Sequence, residues 1–439
     1  MPTLKTVTPD SFTQSALTTY AAISPDDASS LKEITSSLAG KRILHVSSSA
    51  QGGGVAELLR SGCAFERALG IESSRVVIED AHDFFVITKK IHNGLQGAAH
   101  MITPTEQAAY LEIAATLHER FETIARDFQP NLIVLHDPQP LPLISQARQY
   151  APVISRLHID LSTPYRPIAE FLMPMLQQTS GIILSSGNYR SAIDTYSKDQ
   201  TVIIRPAIDP LAEKNSPLDR DSAQNILEKH GIDTARPIIT QISRFDTWKD
   251  PLGAIDTYRI AKQSLPTLQL ILAGFIEASD DPEALEWVAK TTSAASRDPD
   301  IHIFSDLSQL MHDTSNALFI NAVNTLTKCT LQMSRREGFG LTITEAMWKA
   351  RVVIARPSRG AELQITHGEN GYLADTPEAI AQHVVETLSD TAKAQVIGRA
   401  AQESVRTHFL LPHYVRLNCQ CYLDILLGRP LTKIETHNK

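Results

Sequence analysis

Short aliphatic and β-branched runs recur along this chain with helical stretches between them, at 41–46, 74–78, 131–135, 152–157, 181–184 and 202–204. That alternation predicts a parallel sheet flanked by helices, because parallel neighbours need a long crossover connection. Residues 205–217 then bring three prolines among polar side chains, the mark of a linker. A second series follows at 237–242, 268–273, 301–304, 330–333 and 352–355. With 439 residues, two domains of roughly 200 residues each are expected. The fold class is therefore α/β, with two Rossmann-like doubly wound domains facing an interdomain cleft where small ligands bind. The expected boundaries are 1–205 for a first Rossmann-like domain, 206–217 for the linker, 218–407 for a second Rossmann-like domain and 408–439 for a C-terminal helical segment. Helices are predicted at 56–69, 251–263 and 341–349 from apolar residues three or four apart and from glycines that can open a helix. The first forty residues, with a helix near 28–38, have no assigned role beyond capping the first domain.

Composition narrows the function classes. Against 41 Lys and Arg stand 49 Asp and Glu, a formal charge of -8 that argues against nucleic acid and anionic membranes as partners. Four cysteines make a poor disulfide framework, and the single residue between Cys419 and Cys421 is short for zinc-ligand spacing. The chain opens with no basic, apolar, small-residue leader and contains no apolar run near the roughly 20 residues that span a bilayer, so a cytoplasmic protein is expected.

Three motifs carry chemistry. Gly52-Gly53-Gly54-Val55-Ala56-Glu57 follows a strand and opens a helix, where amides without a bulky Cβ nearby can face phosphate or sugar. Its spacing departs from the G-x-G-x-x-G of dinucleotide enzymes, which weakens a dehydrogenase reading. Ser243-Arg244-Phe245-Asp246-Thr247-Trp248-Lys249 sits at the carboxyl end of a strand in the second series, with two cations five residues apart that can converge on a diphosphate. Glu337-Gly338-Phe339-Gly340-Leu341-Thr342-Ile343-Thr344-Glu345-Ala346 joins a strand-end loop, two glycines and two carboxylates eight residues apart. Glu337 leaves the loop while Glu345 lies inside the next helix. The two therefore reach different parts of one ligand, sugar or ribose hydroxyls, with the amides near Leu341 and Thr342 holding phosphate between them.

These residues resemble the retaining glycosyltransferases of family 4, which share the Arg-to-Lys pair and the Glu-x7-Glu signature. The strings His92-Asn93-Gly94-Leu95-Gln96-Gly97, His136-Asp137-Pro138-Gln139-Pro140, Arg156-Leu157-His158-Ile159-Asp160-Leu161-Ser162 and Glu345-Ala346-Met347-Trp348-Lys349, with the glycine string, are similar to the trehalose-forming branch of that family from about Lys41 to the C-terminal region. The resemblance implies a GT-B fold and a C-terminal helix that crosses back to the first domain. It implies that Arg244 and Lys249 hold the donor diphosphate, Glu337 the donor-sugar hydroxyls and Glu345 the ribose. Gly53, Gly340, Leu341 and Thr342 would support the donor. His158 would meet the donor sugar near its reacting face, and Asp137, Gln139 and Glu57 the acceptor. No metal or other cofactor is expected, and related enzymes allow a homodimer. Three positions depart from the pattern. Pro357-Ser358-Arg359-Gly360-Ala361 stands where a glycine pair is usual, Val352 where proline is usual, and Gly94 where alanine is common.

The expected activity is retaining transfer of glucose from a nucleoside-diphosphate glucose, ADP- or UDP-glucose, to glucose, forming trehalose reversibly. Trehalose phosphorolysis is the runner-up. A glycoside hydrolase using Glu337 and Glu345 as acid and base, and a non-catalytic sugar-nucleotide sensor, are the other readings.

Overall fold

The computed structural model describes the chain except residues 1, 9, 11, 52, 100, 194–199, 276–283, 296–297 and 433–439. It divides into two compact units, one built mainly from Met1–Ala207 and Leu411–Lys439, the other mainly from Ile208–Glu277 and Pro282–Leu410. The C-terminal segment thus belongs to the first unit.

The first unit holds a sheet of seven strands, β1 (Thr3–Val7), β2 (Arg42–Ser47), β3 (Glu72–Glu79), β4 (Leu132–His136), β5 (Val153–Leu157), β6 (Gly181–Leu184) and β7 (Thr201–Ile203), in the order β1-β3-β2-β4-β5-β6-β7. All neighbours are parallel except β1, which runs antiparallel to β3. The sheet is therefore mixed, a correction to the parallel expectation. Thr3–Val7 is short and carries polar residues at Thr3, Lys5 and Thr6, so no buried apolar run announces it. The helix Pro25–Ser36 packs on the C-terminal helix Leu411–Leu426, where Asp27 accepts from Arg416 Nε at 2.7 Å and lies 3.2 Å from His413 Nδ1.

The second unit holds six parallel strands, β8 (Ile238–Ile242), β9 (Gln269–Ala273), β10 (Ile301–Phe304), β11 (Cys329–Gln332), β12 (Val352–Ala355) and β13 (Tyr372–Leu373), in the order β10-β9-β8-β11-β12-β13. Strands buried on both faces favour apolar sequence, which these runs supply apart from polar residues such as Thr240, Gln241, Thr330 and Gln332. The residues read as a linker are structured: Ile208 and Asn215 are buried in the second unit. Among the described residues no helix is long and apolar enough to cross a membrane.

The chain reverses its direction of growth once in each sheet, between β2 and β4 and between β8 and β11. At such a switch point the crossover helices leave on opposite faces and open a crevice at the carboxyl ends of the strands. Close packing beside the second crevice requires Gly274, where an added Cβ would lie 1.9 Å from the Ser243 carbonyl oxygen.

One face of the first sheet departs from the apolar rule. His45 on β2 lies in register with Val134 on β4, two residues short of His136; His136 lies in register with Arg156 on β5, two residues short of His158. A two-residue step returns a strand to the same face, so the three imidazoles form a diagonal climbing toward the carboxyl ends. Successive rings are 3.0 and 3.1 Å apart between nitrogens. The helices Gly54–Ala68 and Leu411–Leu426 cover this seam and contribute Glu66, whose Oε2 is 3.3 Å from His45 Nε2, and Tyr422, whose hydroxyl donates to Glu66 Oε1 at 3.3 Å. Arg156 is fully buried beside it, donating to Asn418 Oδ1 at 3.0 Å and the Ile204 carbonyl at 3.1 Å with its guanidinium 4.8 Å from the Tyr414 ring centre. Burial first, then the Arg156 charge, holds the His158 imidazole well below its ordinary range; His136 is held down by burial first and then by His45, His158, Arg156 and Arg75.

Two stability predictions follow from this packing. Gly274→Ala forces the β8 loop off the β9 end and is expected to cost the second unit about 3 kcal/mol. All three tryptophans, Trp248, Trp287 and Trp348, lie in that unit, so an unchanged urea midpoint by tryptophan fluorescence would contradict the packing. In the first unit, unfolded imidazoles take up protons as pH falls through about 6.5 whereas the folded His136 and His158 resist. The unfolded state then binds more protons, so stability is complete above that pH and is lost below it, by about 1.4 kcal/mol per pH unit for each histidine until the folded values are reached. Between pH 7.5 and 5.5 the circular dichroism transition of the first unit should move to lower urea; a midpoint that stays put would show that the histidines titrate normally.

Candidate active site

In the second unit the two signature motifs flank the β8/β11 switch point. Asp246, wholly buried, organizes the first loop: Oδ1 accepts the Trp248 and Lys249 amides at 2.9 Å each, and Oδ2 pairs with Arg244 at 3.2 Å. Gln241 ties this loop to the second, donating to the Lys249 carbonyl at 3.0 Å and accepting from the Met333 amide at 3.0 Å. The Lys249 ammonium thereby reaches Glu337 Oε2. Gln332 Nε2 at 3.0 Å and Ser334 Oγ at 3.3 Å donate to the same oxygen. Glu337 Oε1 accepts from no described residue, and three donors on Oε2 hold the carboxylate rigidly in one orientation.

Gly340 takes φ +87° and precedes the helix Leu341–Trp348, whose N-terminus no side chain caps. The amides of Leu341 and Thr342 therefore stand at the positive end of the helix dipole beside Glu337. Gln364 braces the loop, donating to the carbonyls of Phe339 at 2.6 Å, Gly360 at 3.2 Å and Gly340 at 3.3 Å. Glu345 lies inside the helix, almost fully buried, with Lys214 Nζ 2.6 Å from its Oε1. Asp250 clamps the rear of the site: Oδ1 accepts the Gly253 amide at 3.2 Å, and Oδ2 pairs with Arg356 at 2.7 Å and Arg335 at 3.2 Å.

The unusual string after β12 resolves into separate roles. Ser358 caps the short helix Arg359–Glu362 by accepting from the Ala361 amide, and Arg359 pairs with Glu362 at 2.9 Å on the exposed side. The close approach that a glycine provides is kept by Gly360, where a Cβ would sit 2.6 Å from the Phe339 carbonyl oxygen and 2.8 Å from Glu337 Cγ. Val352 is the buried first residue of β12. At Gly94 an added methyl would meet Ile168 Cγ1 at 2.8 Å, so the neighbouring isoleucine already fills that space.

In the first unit the remaining candidates gather at the ends of β2, β4 and β5, around the other switch point. Gly53, at φ +80°, precedes the helix Gly54–Ala68, again without a side-chain cap; Glu57 lies in its first turn, and Gly52 is outside the described residues. Arg75 holds this loop through the carbonyls of Ser49, Ala50 and Ala56. Asp137, in the left-handed region at φ 65°, accepts the His158 amide at 2.7 Å, so it braces one candidate residue against another. Gln139 is buried, and its side-chain oxygen has no hydrogen-bond partner among the described residues. His158 is partly exposed at the outer end of the histidine seam.

Sequence reasoning passed over Asp246, Asp250, Lys214, Arg75, Gln332 and Gln364. Asp250 had a local signal, an Asp-Pro pair that caps the helix Pro251–Lys262. His45 also had one, the repeated Leu-His pairs 44–45, 135–136 and 157–158 in strands or at their ends. Lys214 and Arg75 act on residues far away in sequence, as Lys214 does on Glu345, and leave no local trace.

Comparison with known proteins places this geometry in a family. Residues 45–191 match the model described as trehalose synthase, N-terminal domain, and residues 222–404 that of glycosyl transferases group 1. The chain is 36% identical to trehalose synthase of Rubrobacter xylanophilus, over 90% of this chain and 93% of that protein. It is 36% identical to trehalose synthase of Pyrococcus horikoshii, over 92% and 94%. Trehalose phosphorylase of Pleurotus pulmonarius is 27% identical, with 82% of this chain matching 54% of the fungal protein. Among solved structures, α,α-trehalose-phosphate synthase (UDP-forming) from Burkholderia vietnamiensis superposes with a TM-score of 0.70 at 13% identity, covering 89% of this chain and 98% of that one. Anabaena HepE in complex with UDP and glucose gives a TM-score of 0.61 at 19% identity, covering 84% and 95%. Two Rossmann-like units, a signature motif at each switch point and a match at 36% identity that covers nine-tenths of the chain converge: the chain belongs to the trehalose synthase family, as a glycosyltransferase of trehalose metabolism with the GT-B fold.

Proposed function

We propose that this protein transfers glucose from a nucleoside-diphosphate glucose to free glucose, forming trehalose with retention and reversibly. The observation that carries the reading is the meeting of Lys249 with Glu337 beside the uncapped helix N-terminus at Gly340. A cation, a hydroxyl-binding carboxylate and free amides in one crevice suit a sugar diphosphate. Arg244, Lys249 and the amides of Leu341 and Thr342 take the diphosphate, Glu337 Oε1 a sugar hydroxyl, and Glu345 the ribose alongside Lys214. In the first unit His158 meets the donor sugar, Gly53 supports it, and Asp137, Gln139 and Glu57 receive the acceptor.

The acceptor hydroxyl attacks the anomeric carbon and passes its proton to the departing phosphate oxygen, so no protein nucleophile is required. Charge grows on that oxygen, and fixed cations and amides stabilize it in place of a divalent metal. Positioning is the other contribution. The hydrolase reading fits poorly, because Lys249 and Lys214 already occupy the oxygens of Glu337 and Glu345 that an acid and base pair would turn to the glycosidic bond and the water. Phosphorolysis needs only phosphate at the same cations, and trehalose with phosphate and no nucleotide tests it directly. All four cysteines are unbridged, in keeping with a reducing cytoplasm.

With EDTA present, glucose and one of ADP-, UDP- or GDP-glucose should yield an α,α-1,1 disaccharide by NMR. No disaccharide from any donor rejects the assignment. Glu337→Gln and Lys249→Ala should each lower kcat about 100-fold with unchanged circular dichroism; near-normal rates would displace the donor site from this crevice. Arg359→Gly should leave kinetics unchanged, since its guanidinium already faces Glu362, and altered donor preference would place it in the pocket.

A further inference from the structure

The seam from Tyr422 through Glu66, His45 and His136 to His158 has a direction that its end groups impose. A neutral imidazole has one N–H and one lone pair, so in a chain of N···N contacts each ring must donate on one side and accept on the other. Glu66 sits at the inner end, already accepting from the Tyr422 hydroxyl. The same sheet face carries Arg75 in register with His45 and Arg156 in register with His136, two guanidiniums that complement a carboxylate at this end of the seam. An ionized Glu66 only accepts, so His45 carries its proton on Nε2 and accepts at Nδ1. His136 Nε2 then donates to His45, and its Nδ1 accepts from His158 Nε2. The last ring is left with a bare Nδ1.

We propose that Glu66, His45 and His136 are positioning residues that act through one another to lock His158 as its Nε2–H tautomer, presenting Nδ1 as the hydrogen-bond acceptor for a hydroxyl of the bound sugar. This rests on the reading that His158 faces the donor sugar. Burial and the neighbouring guanidiniums keep His136 and His158 neutral, as the relay of single protons requires. The arrangement separates two tasks that a lone exposed histidine could not combine. The ring is oriented by its inner nitrogen, and the polarity of its outer nitrogen is set by Glu66 at the far end of the seam, much as outer partners set the tautomer of metal-bound histidines. A hydroxyl can satisfy the bare Nδ1 by donating, whereas a group with only acceptors, such as a phosphate dianion, is repelled.

The test is the tautomeric state in the full-length, 15N-histidine-labelled protein at pH 7.5, read from long-range 1H–15N correlations and assigned with His158→Asn and His45→Asn. Nε2–H is expected for His45, His136 and His158. An Nδ1–H form or an imidazolium at any of them overturns the proposal, including the reversal that a cation held by His45, Cys63 and Glu66 would impose. In Glu66→Gln the Tyr422 hydroxyl keeps the amide oxygen, the NH2 turns to His45, and all three tautomers should invert while kcat falls about 10-fold. Glu66→Asp keeps an acceptor and should retain the native tautomers with most of the rate. Inverted tautomers at an unchanged rate would refute the role of Nδ1, and should Glu66→Gln fail to fold, the wild-type spectrum together with Glu66→Asp decides. The spectrum needs no substrate, so a protein that makes no trehalose but shows three Nε2–H rings would reject the proposed function and leave the chain standing.

Discussion

The switch point of a doubly wound parallel sheet is the constraint on which both candidate sites depend. Strand pairing uses the backbone groups inside each sheet, and the crossover helices bury its faces, so polar chemistry concentrates where strands end and neighbouring helices diverge. In the second unit that place lies between β8 and β11, and the loops after those two strands carry Arg244, Lys249 and Glu337. In the first it lies between β2 and β4, with the glycine loop following one strand and Asp137 the other.

The crevices are held open by buried carboxylates that serve the loops. Asp246 uses one oxygen for two backbone amides and the other for Arg244. Asp250 joins the helix it caps to Arg335 and Arg356 from the loops after β11 and β12. Each carboxylate leaves water only where donors surround it, which makes the loop conformation costly to change. Lys249 and Glu337 are consequently presented on a rigid frame, as electrostatic stabilization of a leaving group requires.

The first unit runs a line of imidazoles through its core instead. Its seam of histidines sits under the helices Gly54–Ala68 and Leu411–Leu426, and the fully buried Arg156 is accommodated by an amide, a carbonyl and an aromatic face. Because each ring needs a donor on one side and an acceptor on the other, the seam transmits polarity without transmitting charge. Hydrogen-bond direction at the candidate sugar contact is thereby coupled to the packing of the C-terminal helix.

The sequence by itself determined the two series of strands, since runs such as 181–184 and 352–355 are free of polar side chains and coincide with β6 and β12. It also determined the loops that carry Gly53, Arg244, Lys249, Glu337 and Gly340, because glycines and charges at strand ends are local signals. It did not reveal β1, whose five residues gain their meaning only by pairing with β3. Nor did it reveal that Lys214, read as linker, lies against Glu345, or that Glu66, His45, His136 and His158 form one line. Only the tertiary structure decided these, because they depend on strand register and on which helix covers which face. A two-residue offset between neighbouring strands is what aligns the three imidazoles, and no residue can encode that offset alone.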